Sequence, residues 1–290
     1  MTTTRANTAD GAPPTQRLDE LWPARRPVVM GIVNATPDSF SDGGRFLDPE
    51  AAVAEGEHHV ATGAAIVDVG GESTRPGAGP VAPDEECRRV LPVLAELRRR
   101  HPSTVLSVDT TKTMVAAAAI AAGADIVNDV SAGADDGMLA LVAELGVGIV
   151  LMHRRGTPRT MQQDTSYHNV VAEVHGYLRQ RAAAAVAAGI PSDRVWLDPG
   201  IGFGKDDDGN LALLAALPAL AAIGHPVVIG PSRKSFIGHL TGAPVGDRLG
   251  GTLAALIPAV GLPRVVVRVH DTGPAVQFLE LAGRIMGTAA

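Results

Sequence analysis

The feature that most restricts the fold of this chain is a regular alternation of short aliphatic runs with longer alanine-rich segments. Eight runs have the length and continuous apolar character of strands buried in a parallel sheet, namely residues 28–34, 65–70, 105–109, 125–129, 148–153, 194–198, 226–230 and 265–270. Segments of helical character follow most of them, at 83–100, 111–122, 135–145, 167–188, 210–223, about 246–260 and 274–286. The α/β pattern therefore predicts a single (β/α)8 TIM barrel over residues 27–290. An open doubly wound sheet is the alternative, but the first strand ends in Asn34-Ala-Thr-Pro-Asp, without the glycine-rich turn that such a sheet needs.

Composition excludes several classes of function. The formal net charge of −6 argues against bulk electrostatic binding of nucleic acid or of an anionic membrane. The single cysteine excludes a cysteine-based zinc site, and no apolar run is long enough to span a membrane. His58 and His59 are adjacent on the first predicted helix, so we expect both on a solvated face rather than on one metal.

Residues 1–26 are expected to form a disordered N-terminal tail outside the barrel. The first sixteen residues are rich in threonine, alanine and proline and contain no apolar segment of the kind found in secretory signals. We therefore expect a cytoplasmic protein.

Polar side chains stand at the end of nearly every predicted strand. They are Asn34, Asp68, Asp109, Asn128, His153, Asp198 and the pair Arg268 and His270. A single Asp or Asn in such a place is equally well explained as a helix cap. In a barrel, however, all strand ends meet at one rim, where the active sites of this fold form. Such a ring of donors and acceptors matches a flat nitrogen heterocycle with ring N–H, amino and carbonyl groups.

Cationic and aromatic residues are concentrated at the same predicted rim. The cations are Arg75, Lys205, Arg233, Lys234, Arg268 and His270. Arg268 lies inside an apolar strand, and its spacing from His270 puts both on one side, where they can hold an anion together. Barrels often bind phosphate after strands seven and eight, so we predict a small substrate that carries phosphate or diphosphate. The phenylalanines Phe40, Phe203 and Phe236 lie in or near rim loops and are expected to wall a pocket for a second flat group.

At these positions the sequence resembles the dihydropteroate synthase family. The resemblance is carried, in order, by residues 30–44 (MGIVNATPDSFSDGG), 67–78 (VDVGGESTRPGA), 107–110 (SVDT), 127–130 (VNDV), 152–153 with 160–162, 197–205 (LDPGIGFGK), 232–238 (SRKSFIG) and 268–271 (RVHD). Eight motifs in order at barrel spacing form a specific signal, although each alone is weak.

The resemblance implies an enzyme that joins 6-hydroxymethyl-7,8-dihydropterin diphosphate to para-aminobenzoate in folate synthesis and is a sulfonamide target. It implies that the pterin is held by Asp109, Asn128, Asp198 and Lys234, and the diphosphate by Arg75, Arg268 and His270. Para-aminobenzoate would lie against Phe40, Thr74, Pro76, Phe203 and Ser235, and Asn34 would ligate Mg²⁺ together with the diphosphate. Asp42 on the first loop joins Asp109, Asp198 and Lys234 as a catalytic candidate. The family also suggests a homodimer.

Two other functions stay open at this point. A pterin-binding methyltransferase that serves a corrinoid protein should lack the Arg268 and His270 pair and the first-loop sequence Asp38-Ser-Phe-Ser-Asp42, both of which are present. A non-catalytic paralogue that binds pterin without turnover is opposed only by the completeness of the motifs.

Overall fold

Eight parallel strands close into a barrel in the order β1 to β8 in a computed structural model that describes residues 13–22, 26–36, 49–74 and 77–288. The strands are β1 Val28–Asn34, β2 Ile66–Gly70, β3 Val105–Asp109, β4 Ile126–Asp129, β5 Gly148–Met152, β6 Val195–Asp198, β7 Val227–Ile229 and β8 Val265–Val269. Every strand boundary lies within one residue of its prediction, and the TIM barrel is confirmed. The register pairs Asn34 with Gly70, Gly70 with Asp109, and Asp109 with Asn128, so these strand ends form one rim.

Helices surround the barrel. They are α1 Pro14–Asp19, α2 Pro49–Ala61, α3 Pro83–Arg100, α4 Thr113–Ala121, α5 Met138–Leu145, α6 Val170–Ala187, α7 Asp207–Ala215, α8 Leu217–Ala221, α9 Ser235–Thr241, α10 Leu249–Ala254 and α11 Thr272–Ile285. The single helix predicted at 210–223 is wrong, because Pro218 lacks the N–H that a continuous helix would need, and the segment divides into α7 and α8. Helix α9 was not predicted. None of the described helices is long and apolar enough to cross a membrane.

Alternate strand residues face two separate apolar cores. Val67, Val127 and Val267 belong to the larger cluster, which lies between the barrel and its helices. Met30 and Ile66 belong to a second cluster that also contains strand residues from β3 to β8. Since both faces of each strand are buried, the runs are continuously apolar, which is why they could be recognised in the sequence.

The N-terminal helix α1 closes the end of the barrel opposite the polar rim. Leu18 is fully buried in the second apolar cluster, which also contains Trp196 at the start of β6. Arg17 pairs with the buried Asp125 at 2.5 Å, and Arg98 pairs with the other oxygen of that carboxylate at 2.6 Å. The prediction of a disordered tail is therefore wrong for α1. Residues 1–12 and 23–25 of that tail lie outside the described residues.

His59 is buried, so its predicted place on a solvated face is wrong. A Cβ atom at Gly31 of β1 would collide with the imidazole, which fills the space that this glycine leaves. Nε2 of His59 lies 3.0 Å from the carbonyl oxygen of Ile32, and Nδ1 lies 3.2 Å from the hydroxyl of Thr272. The ring thus links α2 to β1 and to the start of α11, and burial lowers its pKa.

Candidate active site

A narrow slot at the carboxyl rim brings together the predicted pterin ligands. Its lining residues are Thr74, Asp109, Asn128, Val130, Met152, Asp198, Gly200, Ile201, Phe203, Gly230, Lys234 and Arg268. The slot measures about 20 Å³, which is room for about one water molecule.

Arg268 lines this slot and pairs with two carboxylates. Its Nε donates to Asp68 at 2.6 Å, and its Nη2 donates to Asp109 at 2.8 Å. Asp68 is completely buried, and the same oxygen accepts a hydrogen bond from Nδ2 of Asn128 at 3.0 Å. The network joins β2, β3, β4 and β8. Asp68 was noted at its strand end but not counted among the site residues, and its role as the shared acceptor emerges only from the folded barrel.

The carboxylates Asp109 and Asp198 both hold protons more tightly than an exposed aspartate. Burial raises the pKa of Asp109, although Arg268 opposes the shift. Burial also raises the pKa of Asp198 to about 6, against the backbone N–H of Gly200, which donates to Asp198 at 2.6 Å. Two carboxyl groups with raised pKa values in one slot are typical of a functional site.

Lys234 and Phe203 meet at the slot. The ammonium nitrogen of Lys234 lies 3.9 Å from the centre of the Phe203 ring, which is cation–π geometry. Of the predicted aminobenzoate residues, Thr74 lines the same slot, and Ser235 is exposed at the first residue of α9. Phe236 is buried in the apolar core, so its predicted place in the pocket wall is wrong.

Lys205 is a buried cation that sequence analysis noted but did not assign. Only 3% of it is exposed. Its ammonium donates to Nδ1 of His153 at 2.9 Å and to the carbonyl oxygen of Phe203 at 3.0 Å. Burial lowers its pKa to about 7, although Asp198 opposes the shift. Its place at the end of the LDPGIGFGK motif was the available signal, but its partner His153 is 52 residues away in the chain.

The remaining predicted ligands are distributed along the rim. Asn34 ends β1 beside Gly70. His270 lies one residue beyond β8, and its Nδ1 is 2.9 Å from the hydroxyl of Ser232. Four predicted residues, Phe40, Asp42, Arg75 and Pro76, lie outside the described residues.

A second, larger cavity of about 280 Å³ adjoins the slot and shares Thr74, Asp109 and Val130 with it. On its far side Lys112 bridges two carboxylates: Glu72, at 2.5 Å, and the buried Glu86. The carbonyl oxygen of Pro158 accepts from the N–H of Gly77, so the loops after β2 and β5 touch at this cavity. Asp109 therefore lies at the boundary between the slot and this larger cavity.

The rim offers few protein ligands for a metal ion. Within the described ranges, no group of three or more His, Cys, Asp or Glu side chains is arranged to hold a metal ion. Mg²⁺, however, usually keeps several waters and takes one or two protein ligands together with substrate phosphates. The amide oxygen of Asn34, at the end of β1, fits the role of such a single ligand.

Comparison with known sequences agrees with this geometry. The model of a family described as pterin binding enzyme matches residues 30–270. The dihydropteroate synthase of Neisseria meningitidis serogroup B is 47% identical over 268 residues, which cover 89% of this chain and 93% of that protein. The Escherichia coli dihydropteroate synthase is 42% identical over 255 residues, covering 88% of this chain and 90% of that one.

Solved structures agree as well. Xanthomonas albilineans dihydropteroate synthase with 4-aminobenzoic acid has a TM-score of 0.84 and 47% identity, covering 90% of this chain and 93% of that one. The Yersinia pestis dihydropteroate synthase with a sulfonamide drug has a TM-score of 0.85 and 38% identity, covering 90% and 95% respectively.

Proposed function

Since this chain belongs to the dihydropteroate synthase family of pterin-binding enzymes, we propose that it condenses 6-hydroxymethyl-7,8-dihydropterin diphosphate with para-aminobenzoate. The products are 7,8-dihydropteroate and diphosphate, and the chain acts in folate synthesis as an alkyl transferase. The observation that carries this conclusion is the slot in which Asp109, Asn128, Asp198 and Lys234 surround one space.

The pterin ring is held in this slot. Its amino and ring N–H groups suit the carboxylate acceptors of Asp109 and Asp198, and its carbonyl suits the ammonium of Lys234. Asn128 supplies both a donor and an acceptor, and its amide is already oriented by Asp68. A ligand without these polar groups would leave the buried carboxylates unpaired, which disfavours it.

The diphosphate lies at the β1 and β8 side of the rim, against Arg268 and His270, with Arg75 contributed by a loop outside the described residues. Arg268 also pairs with Asp68 and Asp109, so the phosphate oxygens share its guanidinium with those carboxylates. Asn34 would hold Mg²⁺ together with the diphosphate oxygens. When bound, the ion offsets the charge that develops on the leaving diphosphate.

Diphosphate departs before the amine bonds. The electron-rich dihydropterin spreads the positive charge left on its methylene carbon, and the carboxylates of Asp109 and Asp198 stabilise that charge from fixed positions. The neutral arylamine already has a free electron pair, so no strong base is needed for its attack. The proton that its nitrogen loses after the C–N bond has formed goes to the released diphosphate or to water. The slot excludes water from the cation, which would otherwise be hydrolysed.

Para-aminobenzoate binds against Thr74, Phe203 and Ser235, with Phe40, Pro76 and Asp42 contributed by loops outside the described residues. The ring of Phe203 offers a flat apolar face, and the ammonium of Lys234 above it attracts the benzoate carboxylate. Sulfonamides, which resemble para-aminobenzoate in shape and charge, bind at the same place.

We also propose that the chain forms a homodimer through helices α9 to α11. These helices carry a group of exposed large apolar side chains, with neighbours in the adjoining loops: Leu240, Val245, Leu249, Ile257, Leu281, Ile285 and Met286. Exposed apolar area of this kind marks an interaction surface, and a second copy would cover it. Sedimentation equilibrium should give twice the chain mass of 29.8 kDa, and Ile285→Glu should give the monomer. A monomeric wild type would refute the proposal.

A cytoplasmic location stays a prediction.

The function is tested by turnover of the purified protein. With the pterin diphosphate, para-aminobenzoate and Mg²⁺, we expect dihydropteroate and diphosphate in equal amounts. Asp198→Asn should lose most activity, whereas Asp208→Asn, which changes an exposed carboxylate on α7, should retain it. Pterin binding without product would indicate the non-catalytic paralogue, and methyl transfer from a folate to a corrinoid would indicate the methyltransferase.

A further inference from the structure

Lys205 closes the loop that follows β6 onto the end of β5. Besides Nδ1 of His153 and the carbonyl oxygen of Phe203, its ammonium reaches the carbonyl oxygen of His153 at 3.2 Å. Because an ammonium only donates, Nδ1 of His153 must accept, and the imidazole is neutral. Burial, with the positive charges of Lys205 and Arg155, lowers the pKa of His153 to about 3, which agrees with that neutral state.

Lys205 lines neither cavity, but the loop that it closes supplies residues to the slot. Phe203, whose carbonyl oxygen it holds, carries the ring under Lys234. At the other end of the loop, the N–H of Gly200 donates to Asp198 at 2.6 Å, and the ammonium of Lys205 lies 3.3 Å from the position that a Cβ atom on Gly200 would take. Lys205 can therefore act on the substrates through this loop, to which Phe203 and Asp198 belong.

Charge around Asp198 comes from three elements. Lys205 faces it from the loop after β6, Lys234 from the start of α9, and Arg268 from β8. Arg268 is shared with Asp68 and Asp109, and Lys234 contacts the Phe203 ring. Lys205 itself faces Asp198, Lys234 and Arg155 beside the neutral His153. Among these cations, Lys205 is the one that lies in the loop beginning at Asp198, and its hydrogen bonds join that loop to His153 at the end of β5.

We propose that Lys205 is a positioning residue of the reaction: it keeps Asp198 ionised for the pterin and fixes Phe203 for the aminobenzoate. The inference rests on the function proposed above, because it assumes that Asp198 and Phe203 meet those two substrates. Lys205 then has two effects, one on the ionisation of Asp198 and one on the position of Phe203. The first depends on pH and the second does not, so the two can be measured separately. A lysine that merely packs the loop would produce no such dependence.

The test measures pterin affinity by titration calorimetry between pH 5 and pH 8.5 for wild type, Lys205→Met and Lys205→Arg. Asp109 and Asp198 both have raised pKa values, so pterin affinity should fall in acid through both groups. The contribution of Asp198, with a midpoint near pH 6, is the one that residue 205 should move. Lys205→Met removes a cation that favours the ionised form, so the midpoint should move up by at least about half a pH unit. Above pH 8 the affinities should agree within about threefold, because Asp198 is then ionised in both proteins.

Lys205→Arg keeps the charge and should keep the wild-type midpoint. In turnover assays at pH 8, Lys205→Met should raise the KM for para-aminobenzoate at least fivefold through the released Phe203, with a smaller change in the KM for the pterin diphosphate. Thermal denaturation identifies any variant that fails to fold, and Lys205→Gln then replaces Lys205→Met.

An unchanged midpoint in Lys205→Met, or an equal loss of affinity at every pH, would overturn the inference. A wild type that neither binds pterin nor turns over would instead refute the proposed function. The two failures are therefore distinguishable.

Discussion

Replacing Arg268 with methionine should destabilise the barrel in a way that depends on pH. The two ion pairs of Arg268, at 2.6 and 2.8 Å, involve carboxylates that are 0% exposed at Asp68 and 7% exposed at Asp109. Breaking a buried pair by removing one partner costs about 3–5 kcal/mol, because an uncompensated charge stays buried. For a chain of this size, that loss lowers the melting temperature by roughly 10 °C.

The cost should shrink in acid. Burial already raises the pKa of Asp109 in the folded protein, and Arg268 opposes that shift, so the pKa rises further in Arg268→Met. A folded-state pKa above the unfolded value means that stability falls as the pH rises between the two values. That interval extends higher in the variant, so the gap from wild type should widen from pH 5 to pH 8.

Urea denaturation of both proteins at pH 5 and pH 8 measures this gap. Arg179→Met, which changes an exposed arginine on α6, is the matched control and should stay within about 0.5 kcal/mol of wild type. The double variant Asp68→Asn/Arg268→Met should recover part of the loss, since one of the unpaired carboxylates is gone. A loss in Arg268→Met that is the same at both pH values, or no loss at all, would refute the reasoning.

Three further predictions concern packing and the loop after β6. Gly200→Ala should abolish most activity and lower the melting temperature, because Gly200 has a φ of +68° and a Cβ there would collide with the carbonyl oxygen of His153. Gly146→Ala is the control, because Gly146 has a φ of +66° and open space around it, so this variant suffers the backbone strain without a collision. Equal losses of activity and melting temperature in the two variants would contradict the steric argument. Leu18→Ala should cost about 2–5 kcal/mol in urea denaturation, whereas Leu211→Ala, at an exposed position on α7, should cost less than about 0.5; similar values would mean that α1 does not seal the barrel. Phe203→Ala should raise the KM for para-aminobenzoate about tenfold or more while pterin affinity, measured by calorimetry, changes less than threefold; parallel losses would place Phe203 against the pterin.

The strands and their polar ends could be predicted because their signals are local. A strand buried on both faces is a continuous apolar run, and a side chain such as Asp109 or Asp198 follows it directly in the chain. Barrel geometry then brings these ends to one rim whatever the intervening sequence. The polar residues of the slot could therefore be predicted from the sequence alone.

The errors concern contacts between distant segments. Helix α1 has six residues, too few for a helical pattern, and its burial depends on the space at the barrel end. His59 is buried because Gly31, 28 residues earlier, leaves room for its ring. The pairing of Arg268 with Asp68 spans 200 residues, so the sequence indicated an anion site where the structure also has an internal ion pair.

The central claim, that the pterin ring lies between Asp109 and Asp198, is tested most directly by equilibrium titration of a hydroxymethylpterin at pH 8. A hydrogen bond to a charged group contributes about 1.5–3 kcal/mol, so Asp109→Asn and Asp198→Asn should each weaken binding by roughly 10- to 100-fold. Asp208→Asn, at an exposed carboxylate, should bind as tightly as the wild type. Wild-type affinity in both slot variants would contradict the account.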